Sequence, residues 1–250
     1  MVPGPPDRSG RAPSSAGVIA SRSRAATNEL LAQARDSGWH LGAWARVLYA
    51  VGARSVGQAR LRPRALFEVT ALHVLFALIA GRGGWRWTVV TWSFAVTHLG
   101  LLEDRKSLGL ANTLTLMRAN LPAADHALGE WVPTLALISD FADGKLARAT
   151  GTESSFGQYA DFLADTALWT WFSARHEPSR ALRWATCAAW MAPVVIVLSG
   201  SVIRGRMIDV PRVWWFRPAA TVQMLLGTRV ALRWLRSRPV PHSTGRRVLG

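Results

Sequence analysis

The sequence is poor in cysteine, lysine and acidic residues, and each shortage excludes something. A single cysteine, Cys187, rules out a disulfide within the chain and a cluster of thiol metal ligands. Set in the middle of an apolar run, it reads as a small buried hydrophobe. Of the 30 basic residues only Lys106 and Lys145 are lysine, and 15 acidic residues leave a formal net charge of +15. The six histidines are scattered without ligand-like spacing, so no zinc motif is present. The opening stretch MVPGPPDRSGRAPSSAGVIASRSR lacks the apolar core of a signal peptide and reads as a disordered cytosolic tail.

What the sequence does have is grease. Half the residues are hydrophobic and 13 are tryptophan. A basic excess of this size marks either a nucleic-acid binder or the cytoplasmic side of a membrane protein. The runs ALFEVTALHVLFALIA (65–80), WTVVTWSFAVTHLGLL (87–102) and ALRWATCAAWMAPVVIVLSG (181–200) decide for the membrane, since a span needs about 20 mostly apolar residues. Trp85, Trp87, Trp131, Trp214 and Trp215 sit near run ends, as interfacial aromatic belts do. The expected fold is all-α, a polytopic transmembrane bundle of about six to seven membrane helices with an N-terminal amphipathic helix. Membrane lipids are expected around it, and no nucleic acid.

Along the chain, residues 1–26 are the tail. Residues 27–62 form an amphipathic and juxtamembrane segment, with one surface helix expected over 27–50. Arg54, Arg60, Arg62 and Arg64 then place the N-terminal side in the cytoplasm. A transmembrane hairpin, 63–107, turns at GRGGWR (81–86); Glu68 and His73 within it are read as helix–helix hydrogen bonders. The membrane domain proper covers 108–235. In it Pro122 stops a short helix, another starts near Gly129, and a third follows Gly151, capped by Thr150 or Thr152 and running to about Ala174. A last helix covers about 218–235, and 236–250 is a basic tail.

Four carboxylates break the apolar pattern. Asp140 and Asp143 are three apart and share a helix face; Gly157, Asp161 and Asp165 form a stripe at i, i+4, i+8 on the next helix. A hairpin about Gly151 brings all four together. A charge at mid-membrane costs about 2.5–3.5 kcal/mol on insertion scales, so a cation must compensate. Carboxylate-only sites suit hard divalent ions, Mg²⁺ or Mn²⁺, which favour phosphate-bearing substrates. The small residues Gly144, Ala147 and Gly157 leave room for a ligand to approach the backbone.

Written as spacing the stretch is D-x2-D-G-x2-A-R-x8-G-x3-D-x3-D, through Asp140, Asp143, Gly144, Ala147, Arg148, Gly157, Asp161 and Asp165. This resembles the signature of the CDP-alcohol phosphatidyltransferases. Upstream, NTLTLMR supplies Asn112, Thr115 and Arg118, similar to the family's N-x2-T-x2-R element. Downstream, Arg204 and RPAATVQM, with Arg217, look like the basic element of members that take a phosphorylated acceptor. The resemblance covers about 110–224. It implies an integral membrane enzyme that moves a phosphatidyl or phosphoalcohol group from a CDP-linked lipid to an alcohol, releasing CMP, in phospholipid biosynthesis. It also implies two metal ions on Asp140, Asp143, Asp161 and Asp165, with Asp165 as general base. Asn112, Thr115, Arg118, Gly144, Ala147, Arg148 and Gly157 would bind the CDP group, and Arg204 and Arg217 the acceptor, glycerol phosphate or inositol phosphate. The expected setting is the plasma membrane with the site facing the cytoplasm, and a homodimer. Two other classes share the carboxylates. A membrane prenyltransferase would supply the Asp pairs without the Gly, Ala and Arg positions; an ion-coupled transporter would show inverted repeats and paired broken helices, which are absent from the sequence.

Overall fold

Helices account for every regular element among the residues that the computed structural model describes, 15–208 and 217–237. Trp214, Trp215 and the tail beyond 237 lie outside the described residues.

The N-terminal segment differs from its expectation in two ways. Helix α1 (Ser15–Asp36) begins inside the stretch expected as tail, and α1 and α2 (Leu41–Arg60) replace the single helix expected over 27–50. The break lies at Gly38 and Trp39, both left-handed at φ 69° and 55°. His40 restarts the helix as N-cap, its Nδ1 accepting from the Ala43 amide at 3.1 Å.

Helix α3 (Pro63–Thr97) folds back on itself at Gly81, whose φ of 55° and ψ of −152° suit a residue without Cβ. The two arms meet where Trp92 Nε1 donates to Thr70 Oγ1 at 3.1 Å, which is the hairpin read from GRGGWR. Among the described residues two helices, Pro63–Thr97 and α8 (Arg180–Arg204), are long and apolar enough to cross a membrane. Only 28% and 22% of their most apolar stretches are buried, whereas a soluble core helix would be mostly covered. Phe67, Leu78, Phe94, Leu198 and Ile203 all face outward.

The α3 hairpin holds both ends of α4 (Leu110–Asn120). At the start, the Glu68 carboxylate accepts from the Leu108 amide (2.6 Å) and from Ser107 Oγ (2.9 Å). At the end, Asn120 Nδ2 approaches His73 Nε2 at 3.1 Å and Thr91 Oγ1 donates to Asn120 Oδ1 at 2.9 Å. His73 Nδ1 lies 2.8 Å from the Val69 carbonyl. That contact requires the proton on Nδ1, so Nε2 is the acceptor for Asn120. Glu68 and His73 thus make the inter-helix hydrogen bonds expected of them. With 11 residues, α4 rises about 16 Å, half of a hydrocarbon core, before Pro122 opens a 3₁₀ turn. The chain then runs through α5 (Asp125–Leu128) into α6 (Val132–Thr150).

Helices α6 and α7 (Ser155–His176) form the hairpin about Gly151. The N-cap of α7 is Ser154, with its Oγ accepting from the Gly157 amide at 3.1 Å, rather than Thr150 or Thr152. Thr152 is used otherwise: its amide bonds the Ala147 carbonyl (2.9 Å) to close α6 at left-handed Gly151. Arg105 Nη2 fastens the turn by donating to the Gly151 and Glu153 carbonyls, and Ser155 Oγ donates to Glu103 Oε1. The opposite end of the bundle is tied by His176 to Asp125 (3.0 Å) and by buried Glu177 to Arg229 and Arg233 of α9 (Arg217–Ser237). α9 therefore reaches the end of the bundle away from the Gly151 turn.

Candidate active site

α4 lies against both α6 and α7, and the three helices supply the site. Asn112, Thr115 and Arg118 recur every three residues on α4 and so share a face. α6 contributes Asp140, Asp143, Gly144, Ala147 and Arg148; α7 contributes Gly157, Asp161 and Asp165.

The four carboxylates converge, and the cation between them is Arg118. Its side chain is 0% exposed. Nη1 lies 2.9 Å from Asp143 Oδ2 and 3.4 Å from Asp140 Oδ1; Nε lies 2.8 Å from Asp165 Oδ1; Nη2 contacts Asp161 directly. Thr115 Oγ1 adds a 2.8 Å hydrogen bond to Asp143 Oδ2. A planar guanidinium with five donors can serve several carboxylates at once, which an ammonium cannot. One positive charge offsets one of four, so the cluster keeps a formal excess of three negative charges. Asp143 and Asp165 are buried, while Asp140 and Asp161 stay half-exposed and keep an open side.

Beside the cluster is a cleft of about 140 Å³, lined by Asn112, Thr115, Asp143, Gly144, Ala147, Arg148, Gly157 and Asp161. All eight were expected from the sequence, Asn112, Thr115 and Arg148 only through the family resemblance of their segments. Gly157 is required by close approach: a Cβ there would stand 2.6 Å from Asn112 Oδ1. Asn112 is fixed by donating from Nδ2 to the Leu108 carbonyl at 2.7 Å. Glu153, Ser154 and Gln158 also line the cleft. They were not picked out as site residues. The signal that could have found them is their place around the N-terminus of α7, close to Gly157. Arg204, at the C-terminus of α8, is not among the cleft residues, and its carbonyl accepts from Arg35 Nη1 at 3.0 Å. Arg217 opens α9; its side chain lies outside what is described.

The donor set fits a hard divalent ion. Carboxylate oxygens of Asp140, Asp161 and Asp165 all lie within 4.8 Å of one another. Asp165 Oδ1 is buried without a hydrogen bond, since the approach of Arg118 Nε is close but misaligned. Oxygen-only ligation suits Mg²⁺ or Mn²⁺ over zinc or copper.

The family model for CDP-alcohol phosphatidyltransferases matches residues 107–242, more than half of the chain, and takes in every residue of this cluster and cleft. No curated protein and no solved structure matches.

Proposed function

The chain belongs to the CDP-alcohol phosphatidyltransferase family, and we propose that it transfers a phosphatidyl or phosphoalcohol group from a CDP-linked lipid to an alcohol within the membrane, releasing CMP. The observation that carries this reading is the convergence of four carboxylates at the edge of a cleft with Arg148 and small residues on its walls.

In this reading Asp140, Asp143, Asp161 and Asp165 hold two divalent ions, which when bound clamp the pyrophosphate and take up charge on the leaving CMP. Asn112 and Thr115 from α4, with Gly144, Ala147 and Gly157, shape the nucleotide pocket; Arg118, expected there too, is instead buried among the carboxylates beside it. Gly157 keeps the backbone of α7 within reach of a flat base, and Arg148 offers paired donors to a phosphate. The acceptor hydroxyl attacks the lipid-bearing phosphorus. A new P–O bond forms, the bond to the bridging oxygen breaks, and CMP departs with that oxygen. The hydroxyl proton passes to Asp165, whose Oδ1 has no hydrogen bond to lose.

For the acceptor we infer a phosphorylated alcohol, glycerol phosphate or inositol phosphate, held by Arg204 and Arg217. Both stand at α8 and α9 ends that flank one connection, and guanidinium groups bind phosphate through paired hydrogen bonds. Incubating membranes that contain the protein with CDP-diacylglycerol and each candidate alcohol, then identifying the lipid by mass spectrometry, tests both statements. A phosphatidyl product with a phosphorylated headgroup is expected. Consumption of serine alone would remove the acceptor assignment, and no CMP with any alcohol would remove the transferase reading.

We further infer that α6, α7 and α9 complete a membrane-embedded bundle in the plasma membrane, with the Gly151 turn in the cytoplasm. Arg54, Arg60, Arg62, Arg64 and Arg105 gather at that end. In a Cys187→Ala background, a cysteine placed at Thr152 is expected to react with a membrane-impermeant maleimide only after cells are opened. Labelling in intact cells would invert the topology.

A further inference from the structure

At the end of the bundle away from the aspartates, α3, α7 and α8 line a second, open cavity of about 770 Å³. Arg180, Arg183, Trp184 and Cys187 enter it from one face of α8, and Trp87 and Trp171 from α3 and α7. The two arginines stand apart from the other charges here. Arg229 and Arg233 are taken up by Glu177, and Asp125 by His176. Arg180 and Arg183 have no carboxylate partner among the described residues, and Arg183 Nε is buried without a hydrogen bond. Two unpaired guanidinium groups three residues apart are a fork for an anion with several oxygens.

The surroundings say which anion. Trp184 is 74% exposed beside Arg180, and the Trp87 and Trp171 rings meet edge to face 6.3 Å apart. Tryptophan of this kind sits at the depth of lipid headgroups. Further along α3 and α8, Val89, Val90, Val195 and Ile196 are exposed, apolar surface that acyl chains can cover. A pair of guanidinium groups framed by tryptophans matches the phosphate of a lipid headgroup in charge and in hydrogen-bonding geometry. We propose that this cavity binds the phosphate of an anionic phospholipid, with Arg180 and Arg183 on the phosphate oxygens and the tryptophans around the glycerol region. The site is separate from the aspartate cluster; it rests on the membrane reading above but not on the transferase chemistry.

Native mass spectrometry of the full-length protein in detergent tests it, counting bound lipid as phosphatidylglycerol or phosphatidylcholine is titrated. One tight phosphatidylglycerol is expected, bound at least about tenfold more tightly than phosphatidylcholine. Arg180→Gln with Arg183→Gln should weaken it about tenfold, and Arg180→Lys with Arg183→Lys should keep most of it, because the positive charges stay. CMP release from a CDP-lipid should be the same in all three proteins, which separates this site from the catalytic one. If the double glutamine protein does not fold, exposed Arg180→Gln alone should still weaken binding severalfold. Equal binding of the two lipids, or equal affinity in wild type and glutamine variants, would overturn the proposal. Displacement of the lipid by millimolar inorganic phosphate would make it a site for free anions instead.

Discussion

Replacing Asp140, Asp143 or Asp161 by asparagine is expected to lower CMP release from a CDP-lipid by at least about a hundredfold each, the scale on which enzymes lose charge-stabilising groups. Asparagine keeps the shape and removes one negative charge from a cluster that holds a formal excess of three. The folded state should therefore be undamaged, and the loss should appear in turnover alone. Asp165→Asn should do the same while also removing the proton acceptor. Chelation should silence the wild type, and Mg²⁺ or Mn²⁺ should restore it. Near-full CMP release in all of Asp140→Asn, Asp143→Asn and Asp161→Asn would sink the metal-site reading. Ion flux in liposomes that these changes abolish, with no CMP formed, would point to a transporter, and turnover of a prenyl diphosphate to a prenyltransferase.

The second large effect is expected at Arg118. Its side chain touches all four carboxylates and is fully buried. Removing one partner of a buried ion pair typically costs about 3–5 kcal/mol, and here the removed partner is the common one. The lower end applies, because water reaches Asp140 and Asp161 and screens part of the repulsion. In chelator, Arg118→Gln should melt several degrees below wild type. Added Mg²⁺ should raise its melting temperature more than that of wild type, because the ion then supplies the missing positive charge. Arg118→Lys should fall between, since one ammonium cannot span the four contacts. Identical melting in chelator and an identical response to Mg²⁺ would show that Arg118 is not the counter-charge of the cluster.

The sequence made the carboxylate cluster readable because helical spacing is arithmetic. Residues three and four apart share a face, and Gly151 told where the chain turns back. It did not reveal the counter-charge. Arg118 was expected at the nucleotide pocket through the family resemblance of its segment with Asn112 and Thr115. Its burial among four aspartates depends on how α4 seats against α6 and α7, which no local pattern encodes. Local misreadings have local causes. Thr152 looks like a cap for α7, but its amide closes α6, so the cap passes to Ser154. The apolar period over 27–50 continues across Ser37–His40, and it hid a break that left-handed Gly38 and Trp39 impose. The polar tie from His73 through Asn120 to Thr91 joins residues far apart in the chain, and only packing brings them together.

That tie bears on what the chain inherits and what it adds. The family match begins at residue 107, yet α4 is pinned at both ends from outside it, by Glu68 at Leu108 and by His73 at Asn120. The line that likeness draws between a shared module and an appended hairpin is no seam in the folded molecule. A graft of residues 107–242 onto another leader would carry the aspartate signature intact. It would leave behind the two side chains that fix where α4, and with it Arg118, stands.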